Sequence, residues 1–454
     1  MIGTETSAGA LAEVPAAAPA AATGPDDGSW GDPLRRLVSR YGVVNALQCL
    51  APARGLPGLQ VAMAMLGAEA AGTAPVPGQT VGGGRALGAP GLAEALALAE
   101  AAERYAAREL AGAEYTWASQ DQLPGRALDL RQLPQCTDEE YANHACPVRP
   151  YDESAVIRWV RGVDFPAGEP IWIPACMATY RLPDATPAER FWYAISTGFA
   201  VHSDPVSATL SALAEVVERD AIALLWLQRL ALPRIPASMA GAEARTLIDW
   251  CADHFVTARL FDATTDLGLP TVYCVLTSPH DQVLRTLVGC GTGMTVPAAA
   301  AKALIEAITL RLSKSAEGRA PTRYEDFREV ADGARYMAVA GFESEFDFLL
   351  ADRDDRPLYR ERGEYAPDPL TALRRLGDTL QSLDMQAVLV DRTSAELAEV
   401  GLVAVRAVVP ALQPMSLRPL ARFTRHPRLY SAPLRMGYRA LPPDEVNPLP
   451  QPFA

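Results

Sequence analysis

Two stretches of this chain carry the same charged run inside an apolar, helix-forming background: "LAEAAERYA" at residues 98–106 and "LAEVVERDA" at 213–221. Residues three apart on a helix share a face, so Glu100 and Glu103 point together, with Arg104 beside them. The same spacing pairs Glu215 with Glu218 and sets Arg219 next to them. Leu98, Leu213, Val216 and Val217 pull these helices into a core, where a carboxylate is costly without a cation to meet it. Two readings stay open at this level. The charges form ordinary surface ion pairs, or two helices face each other and hold Mg2+ on carboxylates while arginines grip phosphate.

The background fits a large folded protein. Of 454 residues, 49% are apolar and 21% charged, enough to build one large core or several smaller ones. The net charge of −13 argues against a polyanion such as nucleic acid or an anionic membrane as partner. No apolar run is long enough to predict a membrane-spanning helix. Residues 1–27 are Ala/Pro/Gly-rich, lack the pattern of a secretion signal and read as a disordered tail. The 7 cysteines are scattered, with no C-x-x-C pair, which suits reduced thiols in a cytoplasmic protein. The 5 histidines form no H-x-x-x-H pair.

Along the chain, glycine-rich stretches run into helices three times. "GQTVGGGRALG" leads into a helix predicted over roughly residues 91–111, "STGFAVHSDP" into the second charged helix, and "VGCGTGMTVP" into "AAAAKALIEAITLRLSKS". "GEPIWIPACMATYRL", "LPTVYCVLTS", "MQAVLVDRT" and "LVAVRAVVPAL" read as strands. The class is therefore α+β, with a weak internal duplication, and residues 28–454 read as one composite domain. No G-x-x-x-x-G-K-[ST], Rossmann glycine fingerprint or G-x-S-x-G elbow is present.

These segments, in this order, resemble the YcaO family. "GGGRALG…LAEALALAEAAERYAA", "STGFAVHSDPVSATLSALAEVVERDA" and "GCGTGM…AAAAKALIEAITLRLSKSAEGR" resemble its three signature segments. "NPLPQPFA" resembles the N-P-x-P-H-P-F ending of its azoline-forming members. The resemblance implies a YcaO fold of mixed sheets with packed helices around an ATP–Mg2+ site. It implies ATP-dependent cyclodehydration, in which a Cys, Ser or Thr side chain attacks the preceding amide carbonyl. ATP phosphorylates the oxyanion, phosphate leaves and an azoline remains.

Carried over residue by residue, the resemblance makes Glu100, Glu103, Glu215 and Glu218 the Mg2+ ligands and Arg104, Arg219 and Arg311 nucleotide-site arginines. Pro448, Pro450 and Pro452 match a proline-rich tail that presents the carboxylate of Ala454 as a proton acceptor. Composition by itself favours a solvated terminus for the same residues. Several positions depart from the pattern. Arg85 stands for a loop Lys, Leu96 for a Ser, Thr197 and Ser203 for Asn, and His202 for a Gly. Ser207 stands for a Mg2+-associated Glu, and Gln451 for the tail His. Arg85, Ser203 and Ser207 are still expected at the nucleotide site.

The implied partners are a ribosomal precursor peptide and a ThiF-like or winged-helix protein that reads its leader. An FMN dehydrogenase that oxidises azoline to azole belongs to the same set, and a homodimer is an alternative assembly. Two further readings remain: thioamide or amidine formation on a peptide backbone, and a non-catalytic scaffold motivated by the departures.

Overall fold

The computed structural model describes residues 31–453 apart from 52–55, 57, 68–79, 89–90, 109–113, 181, 194, 315–320, 329–330, 353 and 355, and apart from the side chains of 31, 32 and 314. The stretch 1–27, expected to be disordered, lies outside the described residues, as does Ala454.

Three strand-to-helix units organise the chain. In the first, the short helix α1 (Gly31–Arg35) precedes the antiparallel strands β1 (Val44–Cys49), β2 (Leu59–Leu66) and β3 (Val81–Leu87), and then α2 (Leu92–Ala106). Glycine lets this helix lie directly on its sheet. A Cβ on Gly84 would stand 1.8 Å from the Ala93 carbonyl oxygen, and one on Gly82 would stand 2.4 Å from that of Ala97. Alanine on the helix side completes the close approach, and Ala93, Ala97 and Ala101 are buried. The helix ends at Ala106, inside the predicted span of 91–111.

The second unit begins with β4 (Thr116–Ala118), α3 (Asp138–Ala142), β5 (Ile157–Phe165), β6 (Glu169–Pro174) and α4 (Ala175–Ala178). The stretch predicted as one strand thus splits at Pro174, after which Ala175–Ala178 close a helical turn. β7 (Phe199–His202) then runs into the long helix α5 (Pro205–Leu227). Asp204 caps that helix by accepting the Ser207 amide, and Pro205 occupies its first turn.

The third unit contains β8 (Arg234–Ile235), α6 (Ala242–Asp253), β9 (Thr257–Asp262), β10 (Thr271–Thr277) and β11 (Thr286–Thr292), followed by α7 (Val296–Lys314). Here too a Cβ on Gly289 or Gly291 would come within 2.4 Å of a carbonyl oxygen of the covering helix. The rest of the chain adds α8 (Asp332–Ala338), α9 (Asp347–Leu350), α10 (Pro369–Ser382), β12 (Ala387–Asp391), α11 (Ala395–Glu399), β13 (Val403–Val408) and α12 (Arg428–Arg435).

Among the described residues the strands form three antiparallel sheets, ordered β1-β2-β3, β11-β10-β9-β8 and β4-β5-β12-β13-β7, with β6 also paired to β5. β13 seats β7 through the pairs Ala404↔Val201 and Val405↔Ala200, and α5 packs on both strands. α2 touches β7 and α7 touches β3, so the three units meet around one interior. This is the expected α+β class of mixed sheets and packed helices. Among the described residues, no helix is long and apolar enough to cross a membrane.

Candidate functional site

The interior between the units is lined with charge. Glu100, Glu103 and Arg104 on α2 and Glu215, Glu218 and Arg219 on α5 are all buried, which rules out the surface ion-pair reading. Burial follows from the helix surroundings: buried Ala and Leu flank the charged run on both helices.

Each helix is tied to its glycine strand by the same bond. The Gly83 amide donates to Glu100 Oε2 at 2.8 Å, and the Gly198 amide donates to Glu215 Oε2 at 2.8 Å, each 17 residues upstream of its acceptor. The third unit repeats the device, with the Cys290 amide donating to Glu306 Oε2 at 2.8 Å across 16 residues. Glu306 is a site residue missed in the sequence. Its signal was the matching interval from glycine strand to helix, which the weaker charge pattern of α7 hides.

The electrostatics show carboxylates crowded against one another. Burial, together with the charges of Glu215 and Glu100, holds Glu103 well above the usual carboxylate range, and α2 and α5 both pack on β7. Burial also raises Glu100 and Glu215, with Arg104 and Arg219 respectively pulling them back. Glu306 is pushed up to about 7 by burial, against the opposing pull of Arg219.

The cations come from several elements. Arg104 pairs with Glu100. Arg219 lies 3.6 Å from Glu215 and 3.3 Å from Glu218. Arg85 on β3 is buried, and its charge reaches both Glu100 and Glu306. Two more cations were not singled out by charge spacing. Lys302 on α7 donates to the Thr292 carbonyl at 2.8 Å and is lowered to about 8 by burial, with Glu218 opposing. Arg406 on β13 donates from Nε to the Met177 carbonyl at 3.1 Å and lies 4.5 Å over the Phe199 ring. Burial lowers it to about 10, and the charges of Glu215 and Glu103 pull it back up.

Not every expected residue reaches this interior. Arg311 lies about 140° around α7 from Glu306 and donates instead to the Leu284 carbonyl, Ser278 Oγ and Asp281 Oδ2 of the β10–β11 hairpin. Ser207 donates its amide and hydroxyl to Asp204 Oδ2, at 2.8 and 2.6 Å. It closes the first turn of α5, about three turns before Glu218, and Ser203 is exposed.

The proline-rich segment is not solvated. It lies antiparallel along α5, where the Asn447 amide donates to the Leu227 carbonyl at 2.9 Å. Trp226 Nε1 donates to the Leu449 carbonyl, and Gln451 Nε2 to the Ile222 carbonyl, both at 3.2 Å. Pro448 is exposed, while Pro450, Pro452 and Phe453 are buried. Arg219 stands 5.0 Å over the Phe453 ring, so this segment ends beside the carboxylate pairs.

The arrangement fits Mg2+ and phosphate. Glu103 Oε2 and both Nη atoms of Arg219 are buried without a hydrogen bond, a costly state that an oxygen-seeking cation and a phosphate oxygen would relieve. Among the described residues, no three His, Cys, Asp or Glu side chains gather to hold a metal alone. Mg2+ is commonly held by one or two carboxylates together with substrate phosphates, so paired glutamates are sufficient.

Comparisons with known proteins agree with this fold. The family model for YcaO cyclodehydratase, described as ATP- and Mg2+-binding, matches residues 88–413. A protein of Rhizobium leguminosarum bv. trifolii, described as uncharacterized and in the tfuA 3′ region, is 28% identical over 224 residues, covering 46% of this chain and 50% of that protein. A heterocyclase solved in complex with substrate and cofactor superposes with a TM-score of 0.76 at 23% identity, over 93% of this chain and 57% of that chain. YcaO from Methanopyrus kandleri, solved with AMPPCP and Mg2+, superposes with a TM-score of 0.56 at 16% identity, over 84% of this chain and 90% of that chain. The chain thus spans about half the length of the curated relative and somewhat more of the heterocyclase.

Proposed function

Because the chain belongs to the YcaO family, we propose that it is an ATP-dependent peptide cyclodehydratase. Its substrate is a ribosomal precursor peptide whose Cys, Ser or Thr residues it converts to azolines. The observation that carries this reading is the meeting of two E-x-x-E-R helices beside the proline-rich segment, with Phe453 against Arg219.

ATP with Mg2+ supplies the phosphoryl group that activates the amide oxygen. Glu100, Glu103, Glu215 and Glu218 would hold the metal, and Arg219 the phosphate oxygens. Arg85, Arg104, Lys302 and Arg406 balance the carboxylates, so the interior stays near neutral before the substrates enter. Buried, fixed charges of this kind stabilise charge developing on the transferred group without reorganising. Packing between α5 and the proline-rich segment orients the peptide and excludes water. The carboxylate of Ala454, the residue after the buried Phe453, would serve as proton acceptor for the attacking side chain. Arg311, committed to Asp281, has a structural role in this scheme.

Residues 28–454 act as one YcaO domain in the cytoplasm, with a ThiF-like or winged-helix protein delivering the peptide and an FMN dehydrogenase acting afterwards. The decisive experiment mixes the protein with precursor peptide, partner and ATP and follows peptide mass. The expected result is loss of one water per ring, dependent on this chain. Ring formation by the partner set alone would sink the enzymatic reading.

One observation favours a second reading. Ser207 places a hydroxyl, already bound to Asp204, where the family pattern has a carboxylate, and this suits a non-catalytic scaffold for peptide or an active paralogue. Calorimetry separates the two: the scaffold binds no Mg2+–ATP, whereas the enzyme binds it and loses it in Glu218→Gln.

A further inference from the structure

Asp220 follows the nucleotide-facing pair Glu218 and Arg219 directly, so its side chain leaves α5 about 100° away from Arg219. It is fully buried and takes no part in the carboxylate interior. Its two oxygens accept from Arg428 Nε and Nη2 at 2.6 Å each, and Oδ1 also accepts the Gln413 amide at 2.8 Å. Arg428 opens α12 and also grips Asp266, which Arg435 binds from the other side at 2.6 Å. The two aspartates and two arginines balance in charge.

Two physical routes lead from Asp220 to the start of the proline-rich segment. In the first, the ion pair seats α12 against α5, where Leu429 and Ala432 pack with Leu224, Leu227 and Val446. In the second, the Gln413 side-chain amide donates to the carbonyls of Arg422 and Phe423, and the Arg422 guanidinium donates to the Asn447 carbonyl at 2.8 Å. The first route ends at Val446 and the second at the adjoining Asn447. That residue fixes the register with its amide on the Leu227 carbonyl and its Nδ2 on the Trp226 carbonyl at 3.2 Å.

We infer that Asp220 is a positioning residue. Through Arg428 and Gln413 it sets the register of residues 447–453 along α5, and therefore where Phe453 meets Arg219. A buried ion pair adds little net stability compared with apolar packing, but it specifies one arrangement over its neighbours. The same helix thus carries the nucleotide face and, one residue on, the clamp that aligns the segment with it. Only the chemical purpose of that alignment rests on the cyclodehydratase reading.

The test uses the full-length protein with Asp220→Asn and, separately, Gln413→Ala, which leaves the ion pair intact. The amides of Leu449, Gln451 and Phe453 are expected to exchange hydrogen about 10-fold faster in both variants. Turnover is expected to fall about 100-fold in Asp220→Asn, because small misplacements of reacting groups cost that much. The KM for ATP is expected to stay within about twofold, the signature of misalignment without lost nucleotide binding. Wild-type exchange at those amides in the folded variants overturns the inference, as does a KM for ATP that rises in step with the lost turnover. If Asp220→Asn does not fold, Gln413→Ala decides through the same exchange readout. A wild-type protein that forms no rings sinks the cyclodehydratase reading, while the exchange arm still decides the role of Asp220.

Discussion

The first and second strand-to-helix units differ from the third in what they add to a shared anchor. All three tie a helix glutamate to a backbone amide in or just before the preceding strand, at Glu100, Glu215 and Glu306. Only α2 and α5 then place a second glutamate three residues on and an arginine after it. In α7 that second position is Thr309, whose hydroxyl donates to the Ile305 carbonyl at 2.7 Å, and the following residue is Leu310. Arg311 then falls on the outer face and pins the β10–β11 hairpin. The difference separates two tasks. The amide-to-glutamate bond sets each helix against its sheet, while the second glutamate and the arginine make the paired face suited to metal and phosphate.

The strongest way to break this division is Glu218→Gln. It keeps the shape but removes one of the second carboxylates, and Mg2+–ATP affinity is expected to fall at least about 100-fold by calorimetry. Retention of binding would mean the second glutamates are architectural too.

The anchors are tested by filling the close contacts. Gly84→Ala and Gly291→Ala are each expected to cost about 3 kcal/mol of stability by denaturant titration, since neither helix can move without losing its sheet. The comparison sharpens if Gly84→Ala also weakens nucleotide binding more than Gly291→Ala does.

Glu306 offers a pH test of the third unit. Its carboxyl is pushed up to about 7 from an ordinary 4.5, so between those values the folded protein keeps a proton that the unfolded chain releases. Stability therefore falls as pH rises through this window, by about 2 kcal/mol after discounting for partial exposure. Glu306→Gln is expected to remove that share of the slope when nucleotide-free protein is denatured across the same window.

The smallest effect belongs to Arg311→Ala. Loss of the hairpin bonds is expected to cost about 1 kcal/mol, with Mg2+–ATP affinity unchanged within about twofold. A large loss of affinity would return Arg311 to the nucleotide site.

Much of this was legible along the chain. The glycine-to-helix transitions, the strands at β10, β12 and β13, and the four glutamates all follow local patterns of period and spacing. Other features were not. Arg406 belongs to no local motif, and Lys302 sits in the third quoted segment with no charge repeat to single it out, because a strand and a helix far along the chain bring them to the same interior. Arg311 matches its family position in the sequence, yet the turn of α7 directs it to Asp281. Proline content suggested a solvated terminus for 448–453. Hydrogen bonds from Asn447, Trp226 and Gln451 hold it against α5 instead.

The sequence by itself determined the helices, their glycine approaches and the pairing of carboxylates on a face, because these depend on residues a few positions apart. Only the tertiary structure decided that the two faces meet and that α7 contributes Glu306 without a second carboxylate. It also decided that Asp220 turns away to clamp the chain's final segment. Those outcomes depend on contacts between distant residues, where burial and opposing charge, rather than spacing, choose the partner.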